Sequence, residues 1–282
     1  MRLPLQLPDF SSVGAGQRAT LDIPLGLGIH DISLNLKDEG TDMTVAQMKA
    51  RVTEIVLKSN GKPIREWTPT TLDVVNSSYG SQYAAADGWL RDYFSEPWTR
   101  TMEGEERGAL GTGGLQSLTL EVKFNGDAVD PTVVAYANFE ETNRAFNQFP
   151  FRHIRMLTGQ AVVNGRTQIS NPLKEVGLFY RRLHFLSAAI TSVDIRVNKV
   201  TKWDNLPRAL VSELMSKSGF ALQANTYTVA FDMSSRQLTD QLPTFVKNDA
   251  GQLANIADFR IEYTGNAAGS VDVLHELYQI IR

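Results

Sequence analysis

The chain has 282 residues, with 28 Lys plus Arg against 31 Asp plus Glu, a formal net charge of -3 and no cysteine. Its length allows two domains with cores of their own, and the near-balanced charge excludes a global electrostatic pull on nucleic acid or anionic lipid. Without cysteine there are no disulfides, thiolate metal sites or thiol nucleophiles, and nothing signals an oxidising compartment.

The opening MRLPLQLPDF places Arg2, Leu3, Leu5 and Leu7 around Pro4 and Pro8 and reads as an irregular arm. Its prolines and Asp9 leave no signal-peptide core or membrane-spanning run, which predicts a protein made and kept in the cytoplasm unless lysis releases it. Ala19 to Leu25 and Ile29 to Leu36 alternate apolar and polar residues and read as strands. An acidic loop, Asp38 to Asp42, leads through a helical turn at Val45 to Met48 into a β-rich run carrying Val52, Ile55 and Leu57. That run stops at Asn60-Gly61, a dipeptide suited to a two-residue type I′ hairpin. Ile64 and Trp67 line the return strand, Thr68 caps and Pro69 opens a short helix ending near Gly80. From Ser81 to Gly108 periodicity is poor; Trp89, Tyr93 and Trp98 read as exposed aromatics, and Glu103 to Glu106 as an acidic loop. GALGTGGLQSLTLEVKF then gives turn glycines and a strand with Leu118, Leu120, Val122 and Phe124 on one face, and Thr132 to Phe139 forms another.

Glu141 to Pro150, rich in Asn and Gln, is the best boundary, giving domains 1–141 and 142–282. Strand signals restart at Arg152 to Leu157 and Gln160 to Ile169, with Asn164-Gly165 read as a hairpin turn, then Leu178 to Leu186. The stretch Ile190 to Leu214 repeats the earlier hairpin, tryptophan and helix: Val193, Ile195 and Val197 run to Asn198-Lys199, Val200 and Trp203 return, and Asn205 with Pro207 opens a helix that Gly219 stops. The two copies lie roughly 140 residues apart, too far for a solenoid period, so they mark two copies of one domain with Trp67 and Trp203 in equivalent packing positions. NTYTVAFDM is a strand, a polar stretch with weak helical character follows to about Asn255, and DFRIEYTG is a strand. The tail from Ser270 fits either helix or strand, with its place in the order favouring strand. The fold class is therefore all-β: two tandem eight-stranded jelly-roll sandwiches with short helices in the loops.

Chemistry is sparse. His30, His153, His184 and His275 show no metal-ligand spacing, the glycines match no phosphate-binding loop, and no nucleophile elbow is present. No catalytic or cofactor-binding residue is nominated, and a metal set stays undetermined. Between Thr142 and Leu173 there is no acid, while Arg144, Arg152, Arg155 and Arg166 occur there; these face either phosphate or acids on a solvated sheet or a neighbouring subunit. Asp38 to Asp42, Glu103 to Glu106 and Asp127 to Asp130 lack EF-hand spacing.

Several segments together resemble the double jelly-roll major capsid proteins of tailless icosahedral viruses with an internal membrane, most closely the corticovirus-like bacteriophages. They are VGAGQRATLDIPLG, ALGTGGLQSLTLEVKF, the TKW at Thr201 to Trp203, NTYTVAFDM and IEYTG. The resemblance implies a homotrimer whose six jelly rolls form a pseudo-hexagonal tile, with strands roughly perpendicular to the shell. It further implies neighbouring trimers, a vertex (penton) protein, and an internal viral membrane or its proteins as partners, with no sequence-specific nucleic acid. The virion capsid, assembled in the host cytoplasm, is then the expected location, and turnover is not expected. Calcium enters from the resemblance alone. The arm residues Arg2, Leu3, Leu5 and Leu7 would then order on neighbours or membrane. The competing readings are a carbohydrate-binding or glycoside-active sandwich, drawing on Trp89, Tyr93 and Trp98, and a receptor-binding spike of such a virus.

Overall fold

The computed structural model describes residues 2–99, 108–146, 151–233, 241–248 and 251–279. The chain divides into two compact units, in the main Met1–Phe151 and Arg152–Ile281. In the first, eight strands build the sandwich: β1 (Arg2–Gln6), β2 (Arg18–Asp22), β3 (Gly28–Asp38), β4 (Val52–Ser59), β5 (Lys62–Trp67), β6 (Trp89–Tyr93), β7 (Leu118–Phe124) and β8 (Pro131–Glu140). In the second, the eight are β9 (Phe151–Val162), β10 (Gly165–Gln168), β11 (Leu178–Phe185), β12 (Ile190–Val197), β13 (Val200–Trp203), β14 (Tyr227–Ala230), β15 (Phe259–Gly265) and β16 (Gly269–Gln279). Helix α1 (Val45–Arg51) precedes β4, α2 (Pro69–Ser78) joins β5 to β6, and α3 (Arg208–Lys217) joins β13 to β14.

The strand orders match. The first unit has sheets β1-β8-β3-β6 and β2-β7-β4-β5; the second has β9-β16-β11-β14 and β10-β15-β12-β13. Adding eight to each label in the first unit reproduces the second, including the helix between the fifth and sixth strands. This antiparallel interleaving, in which consecutive strands alternate between sheets except for the hairpin of the fourth and fifth, is the jelly roll, so the chain is a double jelly roll. Alternation dictates the faces: along β8 buried positions alternate with half-buried or exposed ones, and Val133, Ala135, Ala137 and Phe139 fill the core. In the second unit Tyr180, Leu183 and Phe185 from one sheet meet Val193, Ile195, Ile261 and Tyr263 from the other.

The local signals act as their chemistry requires. Asn60 and Gly61 both have positive φ (48° and 75°), as do Asn198 and Lys199 (48° and 68°), giving type I′ turns that match strand twist. Thr68 and Thr71 form a reciprocal capping box, with Pro69 at the first helical position. Gly219, at φ 78°, ends α3 in a Schellman arrangement: the Phe220 N–H reaches the Met215 carbonyl and the Gly219 N–H that of Ser216.

Five expectations are corrected. The N-terminal arm is not irregular: it is the edge strand β1, paired with β8 from Arg2↔Glu140 to Gln6↔Tyr136, and an edge tolerates Pro4 because its missing N–H costs only one possible bond. Asn164-Gly165 is not a hairpin turn, because β9 and β10 belong to different sheets and β10 pairs with β15. The poorly periodic stretch after Ser81 contains β6, a five-residue strand too short to show a period. Its residues 100–107, including Glu103 to Glu106, lie outside the described residues. The stretch expected to have helical character carries short strands at Leu242–Pro243, Phe245–Lys247 and Leu253–Asn255. Asn205 does not cap α3, whose cap is Pro207; at φ 44° it accepts a hydrogen bond from Ser192 instead.

Candidate assembly surfaces

Trp67 and Trp203 each end the fifth strand of their unit, opposite Ile55 and Ile195, and each is nearly buried (5% and 6% exposed). Their surroundings differ in polarity. Trp203 donates its indole N–H to the Tyr227 hydroxyl at 3.3 Å, and that hydroxyl donates to the Leu206 carbonyl at 2.6 Å. Trp67 lies beside the Arg65 guanidinium, 5.0 Å from the ring centroid. Arg65 shares the core-facing side of β5 and pairs across the sandwich with Asp92 on β6 at 2.8 Å, with neither side chain more than 5% exposed. This inter-sheet pair has no sequence signature, since the partners sit in different elements and only the fold aligns them.

The four arginines of the acid-free segment do not form one cluster. Arg144 pairs with Glu140 at 3.0 Å, Arg152 with Glu276 at 2.7 Å, Arg155 with Glu175 at 3.2 Å, and Arg166 with Glu262 and, at 3.6 Å, Asp194. Arg152 is completely buried, so it faces no solvent phosphate. The acids that answer this segment lie just outside it, at Glu140 and Glu175, or on distant strands, at Asp194, Glu262 and Glu276, which is why the sequence looked uncompensated. The other sheet of each unit carries a matching exposed device: Arg18 on β2 bridges Glu54 on β4 and Glu121 on β7, as Arg166 on β10 bridges Asp194 on β12 and Glu262 on β15.

A buried ionic network surrounds Arg152. Arg181 and Arg182 both reach Asp232, Arg181 also donates to the Tyr278 hydroxyl, and Phe220 covers the Arg182 guanidinium at 4.1 Å. Burial raises the Asp232 and Glu276 carboxyls, but the arginines outweigh it and hold Asp232 below and Glu276 well below the usual carboxylate range. His184, bonded to Thr228 and close to Glu276, is lowered chiefly by burial. His275 is lowered by burial to about 3, and neither of its ring nitrogens meets a hydrogen-bond partner among the described residues. These histidines are core groups.

The glycines of ALGTGG do more than turn. Gly114, at φ 85°, is a turn glycine, whereas Gly111 and Gly113 lie against the backbone of Arg144 and Ala145, where a Cβ would overlap a carbonyl. The Gly113 N–H donates to the Arg144 carbonyl at 2.8 Å. Among the acids, Asp38 accepts the N–H groups of Val129 and Asp130 and pairs with Arg51, fastening one loop to another. The aromatics proposed for sugar binding largely turn inward: Tyr93 is buried, and Trp98 stacks on Tyr79 at 3.8 Å with Tyr83 and Tyr93 edge-on. Trp89 stays 42% exposed beside Tyr136.

Of the arm, Leu7 is buried, with its N–H on the Ala135 carbonyl at 2.9 Å, Leu3 is half-buried and Leu5 is 47% exposed. No described helix is long and apolar enough to cross a membrane.

The family model for the viral coat protein P2 N-terminal domain matches residues 4–140, and that for the P2 C-terminal domain matches residues 151–281. The chain belongs to the viral coat protein P2 family. It is 25% identical over 255 residues to the major capsid protein P2 of Pseudoalteromonas phage PM2, covering 86% of this chain and 88% of that protein. The crystal structure of major capsid protein P2 from bacteriophage PM2 superposes with a TM-score of 0.84 at 19% identity, covering 100% of this chain and 98% of that one. The crystal structure of the STIV MCP gives 0.70 at 11% identity, covering 99% and 97%. As a viral coat protein, this P2-family chain is a component of a virion capsid, and its double jelly roll is the shared scaffold.

Proposed function

We propose that this P2-family coat protein is the major subunit of an icosahedral shell, acting as a homotrimer whose six jelly rolls form a pseudo-hexagonal tile above an internal lipid membrane. The repetition of one strand order in both units supports this most strongly. A threefold assembly of a duplicated domain presents six similar edges, so one chain packs hexagonally among its own copies. Neighbouring trimers, a vertex protein and membrane components are its partners in this reading, with assembly in the host cytoplasm and a role in contacts rather than turnover. The exposed Leu5 on edge strand β1 is the arm position suited to a neighbour or membrane, whereas the buried Leu7 anchors the strand to its own unit.

Sedimentation of the purified chain over a dilution series tests the oligomer: a trimer stable to dilution supports the reading, and a monomer at physiological ionic strength contradicts it. Leu5→Lys should leave the folded unit intact and weaken particle assembly; unchanged particles would remove the arm from the contact set. Copy number in purified particles separates a shell subunit from a spike.

A further inference from the structure

The sequence holds three Asn-Gly dipeptides, beginning at Asn60, Asn125 and Asn164. The first builds the turn between β4 and β5 and the second opens the loop between β7 and β8, whereas the third lies in the crossing from β9 to β10, between two sheets. Asn-Gly is the pair at which a side-chain amide most readily becomes an acid, because glycine has no Cβ to crowd its nitrogen or restrict its backbone. The glycine nitrogen gives up its proton to solvent base and bonds to the asparagine Cγ. The Cγ–Nδ2 bond then breaks and ammonia leaves with a proton from water. Water opens the resulting cyclic imide at either carbonyl, leaving aspartate or isoaspartate, and nothing is oxidised or reduced.

The fold treats the three sites differently. Asn60 is exposed, yet its Oδ1 accepts the N–H groups of Gln116 at 2.8 Å and Ser117 at 3.1 Å. Asn125 is held at both ends of its amide: Nδ2 donates to the Ala50 carbonyl at 2.8 Å and the Asp127 carboxylate at 3.2 Å, and Oδ1 accepts the Asp127 N–H at 3.0 Å. Swinging either Cγ over the following nitrogen means giving up these bonds. Asn164 is as exposed as Asn60, and its side chain makes no hydrogen bond among the described residues. Gly165 has φ 139° and open space where a Cβ would stand. It begins a four-residue strand at the edge of its sheet, where fraying frees the backbone nitrogen most easily.

The product would disturb its surroundings. An isoaspartyl link lengthens the main chain by a methylene just before β10, where there is no slack: Gly265, opposite Gly165, has Val162 Cγ1 and the Val163 carbonyl oxygen 2.5 and 2.7 Å from the place of a Cβ. The short edge strand is what yields, and Arg166 on it bridges Asp194 and Glu262.

We propose that Asn164 is a self-modification site, its amide converting with age to a mixture of aspartate and isoaspartate that loosens edge strand β10. The proposal goes beyond the shell reading and is independent of it.

Peptide mapping by mass spectrometry of the full chain, held in mildly alkaline buffer either folded or in urea, tests it. In the folded chain, acid at position 164, read in the tryptic peptide Met156–Arg166, should form about tenfold or more faster than at Asn60 or Asn125, whose hydrogen bonds must break first. In urea the three rates should converge. Isoaspartate-specific enzymatic methylation should label the same peptide, and hydrogen exchange at Gly165–Gln168 should be faster in the separated isoaspartyl form than in fresh protein. Four results overturn the proposal: equal rates at the three sites in the folded chain, a faster reaction at Asn60 through polarisation of its carbonyl by two N–H groups, the same preference for Asn164 in urea, or unchanged exchange in β10 of the isoaspartyl form.

Discussion

Asn60 and Asn198 make the same pair of contacts in the two units. Each begins the turn between the fourth and fifth strands at φ 48°, and each bonds, through both its backbone N–H and its side-chain Oδ1, to the residue just before the seventh strand. For Asn60 the partner is Ser117, at 3.0 Å from its N–H and 3.1 Å to its Oδ1; for Asn198 it is Asp258, at 2.8 Å and 3.4 Å. Asparagine suits the site because its amide bonds locally and it tolerates the left-handed region. The repetition extends the duplication from strand order to individual hydrogen bonds.

Asn60→Ala should cost about 1–2 kcal/mol, from lost hydrogen bonds and backbone strain. Asn198→Ala should cost less, because Asn60 Oδ1 accepts a second N–H, from Gln116 at 2.8 Å. Urea unfolding midpoints check the order; a larger loss at Asn198 contradicts it.

Trp67→Ala and Trp203→Ala should each destabilise by about 3–5 kcal/mol, as truncation of a buried aromatic does. Trp203→Phe should add the loss of the bond to Tyr227, whereas Trp67→Phe loses no comparable bond, since the Trp67 indole N–H meets no partner among the described residues. Equal cost of the two Phe substitutions would contradict the assigned environments.

Asp92→Leu should cost about 3–5 kcal/mol by leaving the Arg65 charge in the core, while Arg65→Met/Asp92→Leu should recover most of it. A double-mutant cycle by thermal unfolding measures the difference. Additive losses would show that the pair is not coupled.

Acid should weaken the second unit. His275 is lowered in the folded state to about 3 against an ordinary 6.5, so the unfolded chain takes up a proton first and stability falls as pH drops below 6.5. Asp232 and Glu276 are also lowered, so the stability they contribute above the ordinary carboxylate range is lost as pH falls through their folded values. His275→Leu removes a buried group without a hydrogen bond; it should stabilise by about 1 kcal/mol at neutral pH and flatten the pH dependence below 6.5. A destabilised variant with unchanged acid sensitivity would refute this.

The fold was legible where local chemistry and period coincide. Asn60-Gly61, Thr68-Pro69 and Gly219 each announce their geometry, and the alternation of Leu118 to Phe124 declares its face. Edge strand β1 was hidden by Pro4, and β6 by its length of five residues. The ionic features were illegible for a different reason. Arg152 and Glu276 are 124 positions apart, and Arg65 meets Asp92 only across the sandwich.

The central claim is that a duplicated jelly roll builds a shell as trimers. Cryo-electron microscopy of purified particles tests it most directly. The account predicts tiles of pseudo-hexagonal outline, each three chains of this protein, covering the facets. Facets built of another protein, with this chain confined to the vertices or missing, would contradict it.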